Sequence, residues 1–200
     1  MNRTTLLAAL IATVLALFAL PANAQTTAYA PGQGAVNSVA VGIDVRASVR
    51  DRCGFATGGA PSGAIAQAEF DRTGFTKDFA IVLNCSSPSR VAVSSLRGGL
   101  KTDTSATGYA STAPYQVELR MVADDGTAAA AKCDAASLAS GGGCAFAGTA
   151  GTATGLRLPS ASTRANGSYL RVSAPPYAGA DPLVAGSYSD SLVVTVSVAA

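Results

Sequence analysis

The amino-acid sequence predicts an all-β protein, a β-sandwich of about seven or eight short strands. Three observations carry this prediction. Apolar and polar residues alternate in several runs, turns rich in Gly, Pro, Ser and Asn separate the runs, and no long segment follows the period of an amphipathic helix. Such a pattern is typical of two sheets that pack face to face around one core.

The amino terminus is predicted to be a secretory signal. Arg3 precedes an apolar run over residues 6–20, and a small-x-small motif ends at Ala24. The run is shorter than the roughly 20 apolar residues of a membrane-spanning helix. We therefore expect export, with residues 1–24 removed after Ala24.

A long alternating run follows a polar leader. Residues 25–38 begin with QTTAYAPGQG, whose Pro and Gly predict a flexible segment. The single domain is expected over residues 39–200. Its first apolar positions are Val39, Val41, Ile43, Val45, Ala47 and Val49. This run exceeds the usual length of about five or six residues, so it predicts one long bent strand or two strand-length segments in series.

Five runs in the middle of the chain are predicted as strands: FAIVLNC, RVAVSSL, YQVELRMV, GLRLP and SYLRVSA. In YQVELRMV, alternation places Tyr115, Val117, Leu119 and Met121 inside, and the ADDG that follows predicts a turn. The alanine-rich residues 128–139 are compatible with a short helix or with a loop held by a disulfide.

Four cysteines in an exported chain indicate disulfides. Sequence order favours the pairs Cys53–Cys85 and Cys133–Cys144. Zinc is the competing interpretation, but the chain has neither a C-x-x-C motif nor histidine.

Composition argues against catalysis and against nucleic acid. Without histidine, neither a Ser-His-Asp nor a Cys-His arrangement can be built. The net charge of +2 gives no bulk attraction for nucleic acid or an anionic surface. We expect no enzyme activity, no cofactor and no metal.

The last strand of the sequence is apolar and unprotected. Leu192, Val194, Val196 and Val198 point one way, and Val193, Thr195 and Ser197 point the other. Proteins normally blunt such an edge with charge, proline or a bulge. An edge left open admits a strand from another chain, and a head-to-tail contact of this kind builds a filament when it does not close.

These segments resemble the spore coat protein U domain family, which includes the pilins of archaic (Csu-type) chaperone–usher pili. GSYSDSLVVTVSV is similar to the family's C-terminal signature, Gly-x-Tyr-x-Asp-x-Leu followed by alternating Val and Thr, with Gly186, Tyr188, Asp190 and Leu192 at its fixed positions. VGIDVRASVRDRC and FAIVLNCSSPSRVAV resemble the family's cysteine-bearing strands. The resemblance covers about residues 39–200, and the Cys133–Cys144 pair lies outside it.

The resemblance implies an immunoglobulin-like sandwich that lacks its final strand. A periplasmic chaperone would fill the gap, and an outer-membrane usher would exchange it for the N-terminal strand of the next subunit. The acceptor groove would be lined by Leu192, Val194, Val196 and Val198, with the early strand opposite. The donor would lie within residues 35–45, with Val36, Val39, Val41 and Ile43 as candidates; the boundary between the donor and the first strand stays open.

Three functions are therefore compared. The first is a pilin that polymerises by donor-strand exchange at the cell surface, for attachment or biofilm formation. The second is a secreted coat or matrix protein that completes its own fold. The third is a tip adhesin, which usually carries an additional receptor-binding domain, whereas this sequence predicts one set of strands.

Overall fold

The computed structural model describes residues 43–140 and 142–199. The chain divides into two units, Met1–Ser48 and Val49–Ala200, and the helices and strands described here belong to the second. Within the described ranges, no helix has both the length and the apolar character needed to cross a bilayer.

The described fold consists mainly of strands. In chain order the elements are α1 (Phe70–Thr73), β1 (Phe75–Ile81), β2 (Ser89–Ser95), β3 (Leu100–Lys101), β4 (Thr112–Ala113), β5 (Gln116–Val122), β6 (Ala128–Asp134), α2 (Ala135–Ser140), β7 (Leu156–Leu158), β8 (Ser168–Ala174) and β9 (Leu192–Val198). Every pairing between these strands is antiparallel. The prediction of an all-β fold is confirmed.

The strands form two main sheets. The larger has the order β1-β8-β5-β6, the second has the order β7-β2-β9, and β3 pairs with β4 in a small ribbon. Among the described residues, β1 and β9 are therefore edge strands. The terminal strand β9 lies beside β2, with Val194 opposite Val93.

The two main sheets contribute side chains to one apolar core. Val117, Leu119 and Met121 of β5 are buried, as the alternation predicts, and Val91 and Val93 of β2 join the same cluster. Each such side chain stabilises the fold by about 1.5–3 kcal/mol when fully buried.

The alanine-rich segment differs from the prediction in its first half. Residues 128–134 are neither helix nor loop; they form β6, which pairs along its whole length with β5. Alanine favours helix over other ordinary residues by less than about 1 kcal/mol per residue. Pairing with a neighbouring strand outweighs a preference of this size. Helix begins at Ala135 and buries Leu138.

The strand predicted at the start of the domain is wrong for its described part. Residues 43–49 belong to no strand, and Ile43, Val45 and Val49 are 81%, 83% and 81% exposed. Alternation produces a stable strand only where a neighbouring strand supplies packing and hydrogen bonds. The donor candidates Val36, Val39 and Val41 lie outside the described residues.

The cysteines form the two disulfides that sequence order favours. Cys53–Cys85 joins the segment before Phe55 to the segment just after β1. Phe55 and Leu83 form an isolated β-bridge between the same two segments. Cys133–Cys144 links β6 to the segment after α2. In the chain-entropy model the two bonds contribute about 3–4 and about 3 kcal/mol to stability.

Candidate functional site

A groove of about 1110 Å³ opens between β1 and β9, the edge strands of the two sheets. This volume exceeds the roughly 300–1,000 Å³ of a typical small-molecule pocket. Its apolar walls are formed by Ile65, Phe75, Phe79, Leu100, Leu170, Val172, Leu192 and Val194. Such a groove accommodates extended apolar side chains better than a compact polar ligand.

The backbone of β9 faces this groove with an edge that pairs with no other described strand. Leu96 N–H donates to Ser191 C=O at 2.9 Å, and Ala199 N–H donates to Pro88 C=O at 2.9 Å. In an antiparallel pair of strands, every second residue exchanges hydrogen bonds with the partner strand. The residues of β9 that bond β2 are therefore Val193, Thr195 and Ser197. The amide and carbonyl groups of the intervening residues point away from β2.

The predicted acceptor residues occupy different places along β9. Leu192 and Val194 line the groove. Val196 is half-buried and packs against the core, and Val198 is half-buried as the last residue of β9. All four belong to the set whose backbone groups point away from β2, whereas Val193, on the opposite face, is 57% exposed.

The wall opposite β9 comes from strands that the sequence predicts in part but does not place there. Phe75 and Phe79 of β1 and Leu170 and Val172 of β8 stand where we expected the early strand. In FTKDFAI the two phenylalanines lie four residues apart, on the same face of a strand as Ile81. This shared apolar face is the feature of the sequence that could have predicted the wall.

Asp190 holds the rim of the groove at the amino-terminal end of β9. Its Oδ2 accepts hydrogen bonds from Ser95 Oγ at 2.6 Å and from the hydroxyl of Tyr115 at 2.8 Å. Its Oδ1 accepts from the backbone N–H of Arg97 at 2.9 Å and of Ser191 at 2.7 Å. One carboxylate therefore ties the start of β9 to the end of β2 and to the residue before β5.

Electrostatics agree with this arrangement. Burial alone would raise the pKa of Asp190, but hydrogen bonds from Ser95, Tyr115 and two backbone amides outweigh it and lower the pKa. Burial, and then the bond to Asp190, raise the pKa of Tyr115 well above its ordinary value. The pair is thus a stable carboxylate acceptor and a protonated phenol donor.

The other signature residues hold the loop before β9. The hydroxyl of Tyr188 donates to the carbonyl of Val184 at 2.8 Å, and its ring packs edge-on against Phe70, with centroids 5.5 Å apart. A Cβ at Gly186 would lie 3.0 Å from Oγ1 of Thr102, so a larger residue there would require the threonine side chain to shift. The signature is therefore a set of contacts that shapes one rim of the groove.

The face of β1 away from the groove is fixed by charge. Arg171 of β8 contacts Asp78 of β1 through two hydrogen bonds of 2.7 Å, and the Arg171 guanidinium lies 4.8 Å from the ring centre of Tyr169. Tyr169 in turn donates to Glu118 of β5 at 2.7 Å. These contacts join three strands of the larger sheet across its solvent face.

Among the described residues, no group of three or more His, Cys, Asp or Glu side chains is placed to hold a metal ion. No protein-family model, no curated protein and no solved structure matches the chain. The groove and its open edge are therefore the features from which a function is inferred.

Proposed function

We propose that the chain is an exported structural subunit of an archaic chaperone–usher pilus and that it polymerises by donor-strand exchange. In this proposal the domain is an immunoglobulin-like sandwich without its final strand. The groove between β1 and β9 is the acceptor, and the N-terminal segment of a second copy is the donor. The resemblance of the C-terminal signature to the spore coat protein U domain supports the same assignment.

The observation that carries the proposal is the coincidence of an apolar groove with an open backbone edge. Leu192 and Val194 direct their side chains into the groove, and the same residues have amide and carbonyl groups that point away from β2. An added strand gains main-chain hydrogen bonds from the edge and side-chain burial from the groove. A small-molecule site requires no such edge.

The donor assignment is supported by the exposed segment at the start of the described chain. Ile43 and Val45 alternate with Asp44 and Arg46, which form an ion pair with each other, and all four are exposed. A strand with this pattern has one apolar face for a groove and one polar face for water. Four Val or Ile side chains buried in the joint would contribute about 6–12 kcal/mol, before the entropy lost on association.

The same edge supports a requirement for a chaperone. An uncovered apolar edge strand is a template for aggregation, so a subunit awaiting assembly needs a temporary partner there. In the proposed pathway a periplasmic chaperone covers the groove, and an outer-membrane usher exchanges it for the next subunit at the cell surface.

Two deletions test the proposal. The mature chain, residues 25–200, is compared with a variant that lacks residues 25–42 and with a control that lacks only the leader residues 25–34. We expect fibres from the mature chain and the control, by electron microscopy and sedimentation, and none from the longer deletion. A synthetic peptide of residues 35–45 should raise the Tm of the longer deletion.

Two results would contradict the proposal. Fibres from the longer deletion, equal in amount to those of the mature chain, would place the donor elsewhere. A mature chain that stays a soluble monomer without a chaperone, with a Tm that the peptide does not change, would indicate a self-complemented coat or matrix protein.

A further inference from the structure

One wall of the groove is a segment without regular structure. Residues 60–68, here called the strap, line the groove from Pro61 to Ala68. No residue of the strap makes a backbone–backbone hydrogen bond with any other described residue. Segments with few backbone bonds and little buried apolar surface open at low free energy. The strap is therefore a weakly held wall of the groove.

The strap is fixed at its two ends. Gly59, just before it, bonds Ala56 and Val82 through its backbone, and a Cβ there would lie 2.5 Å from the Val82 carbonyl oxygen. Glu69, just after it, has φ 49°, a left-handed conformation that is uncommon for a residue other than glycine. Because the strap is held at both ends and makes no backbone–backbone hydrogen bonds between them, it can move as one piece.

Ile65 is the strap side chain that packs against the core. It is half-buried against the apolar cluster and lines the groove, while its neighbours Ala64 and Ala66 are exposed. Ile65 thus covers apolar surface in the groove that an incoming strand would otherwise cover.

We propose that the strap is a movable cover of the groove: Ile65 occupies part of the groove when no donor is bound, and it leaves when a donor strand enters. This inference rests on the proposed function, because it requires a donor. Loss of the Ile65 contacts offsets part of the gain from donor binding, so the strap lowers donor affinity and protects the apolar groove in the unpaired subunit.

The sign of one mutational effect tests the strap. Ile65→Ala removes contacts that exist only in the donor-free protein, so it is expected to tighten binding of the peptide of residues 35–45 to the variant that lacks residues 25–42 by about tenfold. Isothermal calorimetry measures the affinity. Ala60→Ser, an exposed change in the same strap at a residue that does not line the groove, should leave the affinity unchanged. An unchanged or weaker affinity for Ile65→Ala would show that Ile65 is a permanent wall and would overturn the inference.

A spectroscopic variant checks the movement itself. The chain contains no tryptophan, so Ile65→Trp supplies the sole indole reporter in the protein. Its emission is expected to shift to longer wavelength when the peptide is added, as the ring leaves the groove for water. Peptide binding without this shift overturns the strap inference alone. Absence of peptide binding to the variant that lacks residues 25–42 and carries no other substitution overturns the proposed function and the strap inference together.

Discussion

The hydroxyl of Tyr115 donates to Oδ2 of Asp190 over 2.8 Å, and this bond joins the residue before β5 to the segment just before β9. Both residues line the groove. The segment that precedes β9 therefore also shapes the groove. Its aspartate sets where β9 begins, and thereby where the open edge meets the apolar walls.

Removal of the Asp190 carboxylate is expected to destabilise the fold strongly. Asp190→Ala leaves the hydroxyl of Tyr115 and the amides of Arg97 and Ser191 without their acceptor. Hydrogen bonds to a charged group contribute about 1.5–3 kcal/mol each, but not additively, so we expect a loss of about 3–5 kcal/mol. Urea unfolding of the oxidised variant that lacks residues 25–42, with and without the substitution, measures it.

Two further variants make this prediction specific. Tyr115→Phe removes one donor and should cost about 1–2 kcal/mol. Asp181→Ala, an exposed aspartate in the loop before β9, should change the free energy of unfolding by less than about 0.5 kcal/mol. Equal effects for Asp190→Ala and Asp181→Ala would contradict the role assigned to the Asp190 network.

The pH dependence of stability should reflect the ionisation of the Asp190 carboxyl group. The folded pKa of Asp190 lies below the value of about 3.9 for an unfolded aspartate. A lowered folded pKa gives stability that is present above the unfolded pKa and lost as the pH falls through the folded pKa. The difference in unfolding free energy between the unsubstituted chain and Asp190→Asn should therefore stay constant from about pH 7 to 5 and shrink below about pH 4. A difference that persists unchanged at pH 2 would exclude a contribution from the charge.

The sequence was most informative where alternation and burial agree. The inward set of β5, Val117, Leu119 and Met121, is fully buried, and the terminal alternation separates groove-facing Val194 from exposed Val193. Period-two patterning determines which face a residue takes once a strand exists. Cysteine order predicted both disulfides as well, since each cysteine pairs with its neighbour in sequence.

Pairing partners were less predictable, because they depend on residues far away in sequence. Residues 128–134 form a strand because β5 lies beside them, whereas residues 43–49 carry a better strand pattern and form none. The second wall of the groove depends on the antiparallel register that brings Phe79 opposite Leu170, some ninety residues later. Local pattern alone does not encode such contacts.

Two buried serines should respond to the same substitution with opposite sign. Oγ of Ser89 is fully buried and has no hydrogen-bond partner among the described residues, so Ser89→Ala is expected to stabilise the fold by about 1 kcal/mol. Oγ of Ser168 accepts the N–H of Val122 at 2.9 Å, so Ser168→Ala should destabilise it by about 1–3 kcal/mol. Thermal unfolding of both variants measures the effects, and a destabilised Ser89→Ala would indicate that its hydroxyl has a partner.

Adjacent residues of β9 provide a matched test of the groove. Val194→Arg places a charge among the apolar walls and should abolish fibre formation and chaperone capture, because an unpaired charge in a buried joint costs several kcal/mol. Val193→Arg places the same charge on the solvent face of the same strand and should leave both intact. Electron microscopy and co-purification with the chaperone give the two readouts, and urea unfolding checks that each variant is folded. If both folded variants assemble equally well, the side of β9 that faces the groove takes no part in polymerisation.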